Sequence, residues 1–390
     1  MKLADLQTPC LLLDEQRMDR NIARLQQQLR RLGVPLRPHL KTAKCIEVAR
    51  RLMPTAAGPA TVSTLREAEQ FAAAGVRDVL YAVGITPAKL PRVLGLRKSG
   101  IDVAVILDTP DQARAVAAAS REAGERIPAL IEIDADDHRA GLRPGDATLI
   151  EVGRILHEAA QLRGVMTHAG GSYDRPGAEA FVAAAEQERA AVVSSAEALR
   201  RAGLPSPVVS VGSTPTALFA RDLTGVTEVR AGVFVFQDLV MSGLGVCGID
   251  DIAISVLGAV IGHQREKGWI LTDAGWTAMS RDRGTARQAV DQGYGVVCDI
   301  AGRPYDDLVM TSTNQEHGIV AIRSGSKAKL PDLPVGSLLR ILPNHACATA
   351  GQHDRYHVIG GNGIAGRDST SRTVTAADDV AAVWPRFSGW

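Results

Sequence analysis

The sequence predicts an α/β protein: an N-terminal (β/α)8 TIM-type barrel followed by a mostly antiparallel β domain. Three observations lead there. From about residue 36 to 232, short β-branched runs alternate with Ala/Leu/Glu/Arg-rich runs of helical period, the pattern of parallel strands covered by helices. After about residue 245 the long helical runs stop, and short apolar runs are separated by Gly, Pro and Asp, as in antiparallel sheets. An open doubly wound sheet would carry a glycine fingerprint after its first strand, but Thr42-Ala43-Lys44 stands there instead.

The elements follow in order. Residues 8–13 are strand-like and are placed with the C-terminal β domain. The first barrel strand is expected at 36–41, where prolines and apolar residues favour an extended chain. The helical run 46–52 leads to a strand at 60–64, the run 65–74 to strands at 78–83 and 102–107, and the run 110–123 to a strand at 129–134. A strand at 164–168, a long helical run at 178–202 and strands at 207–212 and 227–231 complete eight. Several of these strands are unbroken apolar runs, as expected when both faces are covered. Beyond them, 252–261, 269–272, 295–298, 308–311, 318–322 and 338–342 read as the strands of the second domain. The expected division is 14–245 for the barrel, with 1–13 and 246–390 forming the β domain.

Composition excludes several classes. The 390 residues are 45% hydrophobic and 22% charged, with 44 basic against 43 acidic side chains. This near-balance argues against a nucleic-acid or membrane-surface role. No apolar run is long enough for a membrane helix. The first residues lack a basic-then-apolar leader pattern, so a cytoplasmic protein is expected. Five scattered cysteines read as thiols or ligands rather than disulfides.

The chemistry concentrates at the expected strand ends, which converge on one mouth in a barrel. Pro38-His39-Leu40-Lys41-Thr42 ends the first strand with a lysine. There it is expected to be partly withdrawn from water and able to form a Schiff base with an aldehyde cofactor. The fifth strand leads into Asp136-Asp137-His138-Arg139, and the sixth delivers His168, followed by Gly170-Gly171-Ser172-Tyr173. The seventh ends in Gly212-Ser213-Thr214-Pro215-Thr216 and the eighth in Arg230-Ala231-Gly232. Glycines and hydroxyls after strands seven and eight suit a phosphate, since N–H groups approach the anion there. In the β domain, Pro343-Asn344-His345-Ala346-Cys347 follows an apolar run. In an extended segment residues i and i+2 share a side. His345 and Cys347 are therefore expected to bind one divalent ion, with zinc favoured by the thiolate and manganese or magnesium as alternatives. His353, Asp354 and His357 either support that ion or are surface residues. Asn314-Gln315-Glu316-His317-Gly318 is a further polar cluster.

Taken together, these motifs resemble the fold-type III pyridoxal phosphate enzymes related to alanine racemase. Within them the chain is most similar to the branch holding metal-dependent D-serine dehydratase, D-threo-3-hydroxyaspartate dehydratase and D-threonine aldolase. Thr8-Pro9, Asp273-Ala274-Gly275 and Gln315-Glu316-His317-Gly318 add to the match. The resemblance implies a homodimer in which Lys41 carries the cofactor and Arg139 faces its pyridine nitrogen. It also implies that Tyr173, Ser213, Thr214 and Gly232 hold the phosphate, that Gly212 and His168 are further cofactor-binding residues, and that His345 and Cys347 hold the metal. In the aldolase relatives the metal pair reads His-x-Asp, in the dehydratases His-x-Cys. The resemblance therefore implies elimination of water from a D-3-hydroxy amino acid, D-threo-3-hydroxyaspartate or D-serine. Retro-aldol cleavage to glycine and an aldehyde is the alternative, and a cofactor-binding protein without turnover is a minor one. A distal substrate carboxylate needs a cation, for which Arg281 and Arg283 are the candidates, with Gln315 a further substrate contact.

Overall fold

The computed structural model describes residues 1–360 and 379–390. The chain forms two compact units, Arg24–Gly232 with Phe387–Trp390, and Met1–Ala23 with Val233–Arg386.

In the first unit seven parallel strands neighbour one another in chain order: Ala60–Val62, Asp78–Gly84, Asp102–Leu107, Pro128–Ile133, Gln161–Thr167, Val208–Val211 and Glu228–Val229. The eighth place is filled by the segment expected to be the first strand. Leu36 bridges Val229 and His39 bridges Thr61, both in parallel. Arg37 N–H donates to the Val229 carbonyl and Leu40 N–H to that of Thr61, each at 2.8 Å. This closes the sheet into a (β/α)8 barrel. The segment is a pair of single bridges and not a continuous strand because Pro35 and Pro38 have no N–H to give the ladder.

Its helices form where apolar residues recur with helical spacing. In Pro110–Ala123 the buried residues are Ala113, Val116, Ala117 and Ser120, one stripe of a 3.6-residue helix. Thr109 and Gln112 cap its start reciprocally and Gly124, at φ 62, ends it. The six residues of Pro128–Ile133 are all buried. On one face of the sheet Leu80, Ala104, Ile106, Leu130 and Met166 pack together. The unit also takes back residues after the last strand of the chain: Phe387 N–H donates to the Lys44 carbonyl at 3.0 Å, and its ring lies edge-on to Phe71 at 5.0 Å.

Among the described residues the second unit is a nine-stranded sheet. Trp269–Thr272 pairs with both Gly318–Ile322 and Ile254–Gln264, so six of its strands close on themselves. Cys10–Asp14 extends the sheet antiparallel to Ile254–Gln264, and Arg355–Ile359 then pairs with it in parallel. Leu239, Ile252, Val296, Cys298, Val309 and Leu342 form one core cluster. No helix among the described residues is long and apolar enough to cross a membrane.

Candidate active site

In the barrel unit, Lys41 lies in the turn that follows the bridging segment, its N–H 3.5 Å from His39 Nδ1. The side chain is exposed, so the protein's own atoms do not supply the withdrawal from water that its position suggested. Around it the strand ends bring cations and neutral imidazoles together. Burial, joined by the charges of Lys41, Arg230 and Arg139, pushes His168 down to about 3, against the raising effect of its hydrogen bond with Gly212. Its Nδ1 is 2.7 Å from the Gly212 carbonyl. A carbonyl only accepts, so Nδ1 carries the proton and Nε2 keeps its lone pair. His39 is lowered by burial and by the same cations. Arg139 is exposed, with its guanidinium 3.7 Å from buried Glu132, whose carboxyl is raised by burial against the pull of Arg139 and Arg230.

The segment after Val208–Val211 is built around glycine. Gly212 has φ 149, and a Cβ there would sit 1.7 Å from the Arg230 carbonyl oxygen. Gly232 faces the lysine turn, where a Cβ would come within 3.1 Å of the His39 carbonyl and Thr42 Oγ1. Ser213 caps Thr214–Phe219, and its hydroxyl lies 2.9 Å from those of Ser172 and Thr216. Tyr173 Oη accepts from Thr214 N–H at 3.5 Å. Expected residues Lys41, Arg139, His168, Tyr173, Gly212, Ser213, Thr214 and Gly232 are thus all in one unit. The charges of Lys41 and Arg139 both act on His168, and the others form a hydroxyl and backbone cradle joined to His168 through Gly212. Cations, donors and space left by glycine fit an anionic pyridine phosphate.

Sequence reasoning missed Glu188. It is 2% exposed and accepts from the N–H groups of Ala169 (3.1 Å) and Gly212 (2.8 Å), tying the ends of two strands together. Burial raises its carboxyl, against these hydrogen bonds. The signal was a carboxylate in the apolar stripe that also contains Ala184, Ala185, Ala191 and Val192.

In the other unit the structure brings His345 and Cys347 into side-chain hydrogen-bond contact. The geometry differs from the expected extended segment. Only His345 is extended, as the N-cap of the helix Ala346–Ala350 that carries Cys347, so the cap turn and not strand alternation pairs them. His345 Nδ1 donates to Asp282 Oδ2 at 2.7 Å, which leaves Nε2 for an ion. Burial would lower this imidazole, but the hydrogen bonds to Asp282 and Cys347 raise it to about 11. Asp238, buried, accepts from Ala346 N–H at 2.9 Å and Met241 N–H at 2.9 Å. Buried Asn344 donates to the Gly293 carbonyl at 2.6 Å and the Asp282 carbonyl at 3.2 Å. One nitrogen and one thiol make a donor set that fits a divalent ion with open positions. No group of three or more acidic, His or Cys side chains placed to hold a metal ion together occurs among the described residues. The supporting role expected of His353 and Asp354 falls to Asp282 instead. His353 Nε2 donates to the Ala278 carbonyl at 2.9 Å, and Asp354 pairs with Arg355.

The tentative substrate residues separate. Arg283 is paired with Asp291 at 2.6 Å, whereas Arg281 lies over the Trp276 ring at 4.5 Å. The Gln315 carbonyl accepts from Thr277 N–H and Oγ1, so Gln315 anchors the Trp276 turn.

Comparison with known proteins places this architecture. Residues 13–239 match the alanine racemase N-terminal domain, and 253–359 match the putative serine dehydratase domain. D-threo-3-hydroxyaspartate dehydratase from Delftia sp. (strain HT23) is 52% identical over 392 residues, covering 100% of this chain and 99% of the relative. Its solved structure covers 100% of both chains with a TM-score of 0.93. A cysteine-to-alanine variant of a D-threo-3-hydroxyaspartate dehydratase, in a metal-free form, also matches at 0.93 with 52% identity, covering 100% of each chain. A D-serine dehydratase from Dictyostelium discoideum is 28% identical, covering 91% of this chain and 94% of the relative. A 3-hydroxy-D-aspartate aldolase from Paracoccus denitrificans is also 28% identical, covering 91% of this chain and 89% of the relative. The chain belongs to the fold-type III, alanine racemase-like family of pyridoxal phosphate-dependent enzymes, in the branch with a serine dehydratase domain.

Proposed function

We propose that this chain is a pyridoxal phosphate- and divalent metal-dependent dehydratase that converts a D-3-hydroxy amino acid, foremost D-threo-3-hydroxyaspartate, to a 2-oxo acid and ammonia. The observation that carries this is the joined His345–Cys347 pair, with Asp282 fixing the imidazole, in a chain that matches a D-threo-3-hydroxyaspartate dehydratase from end to end. A thiolate beside an imidazole favours zinc over manganese or magnesium.

Bound in their sites, the cofactor supplies an electron sink at the substrate α-carbon and the metal a Lewis acid for the β-hydroxyl. The chain's residues do the rest. Lys41 Nζ anchors the cofactor and accepts the α-proton. Ser213, Thr214, Tyr173 and the backbone at Gly212 and Gly232 hold the phosphate, and Arg139 is the partner of the pyridine nitrogen. His168, locked as the Nδ1–H tautomer by Gly212, presents a neutral ring to the site. His345, oriented by Asp282, and Cys347 would hold the metal. In the net reaction the α C–H and β C–O bonds break and water leaves. The unsaturated amine then hydrolyses to the 2-oxo acid and ammonia. A homodimer is the expected assembly.

The aldolase relative supports a second outcome, because retro-aldol cleavage needs the same cofactor and a metal at the same hydroxyl. A product assay on zinc-loaded protein with D-threo-3-hydroxyaspartate, D-serine and D-threonine decides between them. We expect a 2-oxo acid with equimolar ammonia; glycine with an aldehyde would overturn dehydration.

A further inference from the structure

We infer that Arg281, stacked on Trp276, is the receptor for the distal carboxylate of a dicarboxylic substrate and selects 3-hydroxyaspartate over D-serine. This deepens the dehydratase reading and rests on it. In 3-hydroxyaspartate the same carbon bears the hydroxyl and the distal carboxylate. A hydroxyl brought to the His345–Cys347 pair therefore puts that carboxylate beside the same pair. A cation carried by chain that touches His345 is placed to meet it.

Arg281 directly precedes Asp282, whose carboxylate holds His345 Nδ1 at 2.7 Å. Its guanidinium is exposed and lies 4.5 Å above the Trp276 ring, and among the described residues it forms no ion pair. Stacking fixes the guanidinium plane while leaving its N–H edge for a planar, two-point contact with a carboxylate. Arg283, two residues on, is already neutralised by Asp291.

The platform under Arg281 is rigid and shares supports with the metal pair. Trp276 N–H donates to the Asn314 carbonyl at 2.9 Å and Thr277 N–H to that of Gln315 at 3.2 Å. At Gly275 a Cβ would lie 2.2 Å from the Gln315 carbonyl oxygen, so only glycine allows this close approach. The turn ends at Ser280, which takes φ 76 and sends the chain on to Arg281. Thr349, on the helix that carries Cys347, donates to the Met279 carbonyl at 2.6 Å. This hydrogen bond ties the Trp276 turn to the Cys347 helix.

The test uses the holoenzyme and two ligands that cannot lose water. D-Aspartate has the distal carboxylate and D-alanine does not. Both are titrated against the visible absorbance of the bound cofactor. Wild type should bind D-aspartate more tightly, and Arg281→Ala or Arg281→Gln should reduce that preference about 10- to 100-fold, the scale of a lost charged hydrogen bond. Arg281→Lys should restore part of it, and Arg283→Ala should leave it standing. The ratio of kcat/KM for D-threo-3-hydroxyaspartate over D-serine should fall in parallel. An unchanged preference in both Arg281 variants, or its collapse in Arg283→Ala, overturns the assignment. A wild-type protein whose cofactor band answers neither ligand overturns the underlying dehydratase reading instead.

Discussion

His345 and His168 show how one hydrogen bond sets what an imidazole can do. Asp282 accepts a hydrogen bond from His345 Nδ1 at 2.7 Å and so leaves Nε2 as the nitrogen for a ligand. Changing Asp282 to Asn keeps the size but lets an amide N–H compete for the ring. It should weaken divalent ion binding about 10- to 100-fold, read by metal titration, with the visible cofactor band intact; unchanged affinity would remove Asp282 from the site. At His168 the partner is the Gly212 carbonyl, and burial holds the ring near a pKa of about 3. In the unfolded chain a histidine binds its proton below about 6.5. Between those values the unfolded state holds more protons, so stability falls as pH falls through this window. Compared with His168→Asn, which does not titrate, the cofactor-free wild type should lose stability more steeply between pH 7 and 5. Parallel urea denaturation curves at the two pH values would contradict that.

At the scale of elements, the loops after the strands matter more than the strands. The segment following Val208–Val211 works because Gly212 combines φ 149 with a site where Arg230 backbone stands 1.7 Å from any added Cβ. Backbone on both sides cannot yield as a side-chain tip would. Gly212→Ala should therefore lower Tm by at least about 5 °C and sharply weaken cofactor retention, measured by calorimetry and by absorbance after dialysis. A protein of unchanged Tm would show that the turn relaxes. The Gly-Ser-Thr run and the lysine were legible in the sequence because glycine and lysine at strand ends have local meaning. Glu188 was not, because its role comes from helix Ala178–Arg201 packing on the ends of two strands far apart in sequence. The bridging segment was legible as extended chain, but its broken ladder follows from Pro35 and Pro38. His345 and Cys347 come together for a reason the spacing alone could not give, since a helix begins between the two. Asp282 went unnoticed between two arginines that drew attention as charges.

Over the whole molecule, the alternation of strands and helices and then its loss were enough to read a barrel followed by a β domain, because each architecture imposes its own period. What no local pattern could show is how residues distant in sequence share the two centres. Every cofactor-site candidate lies between Lys41 and Gly232, inside one compact unit, while His345, Cys347 and Asp282 lie in the other. Each unit has its own sheet, so each centre is assembled from groups that the other does not need. Removing the metal should therefore silence the reaction without releasing the cofactor. Chelation of the holoenzyme, or Cys347→Ala, should cut turnover by at least about 100-fold, the scale of a lost Lewis acid, while the visible band stays. Zinc should restore the chelated wild type but not the variant. Lys41→Ala should do the converse, abolishing the band and turnover while metal content measured by elemental analysis is retained. If chelation bleaches the band, or Lys41→Ala empties the metal site, the two centres depend on one another and this division of labour is wrong.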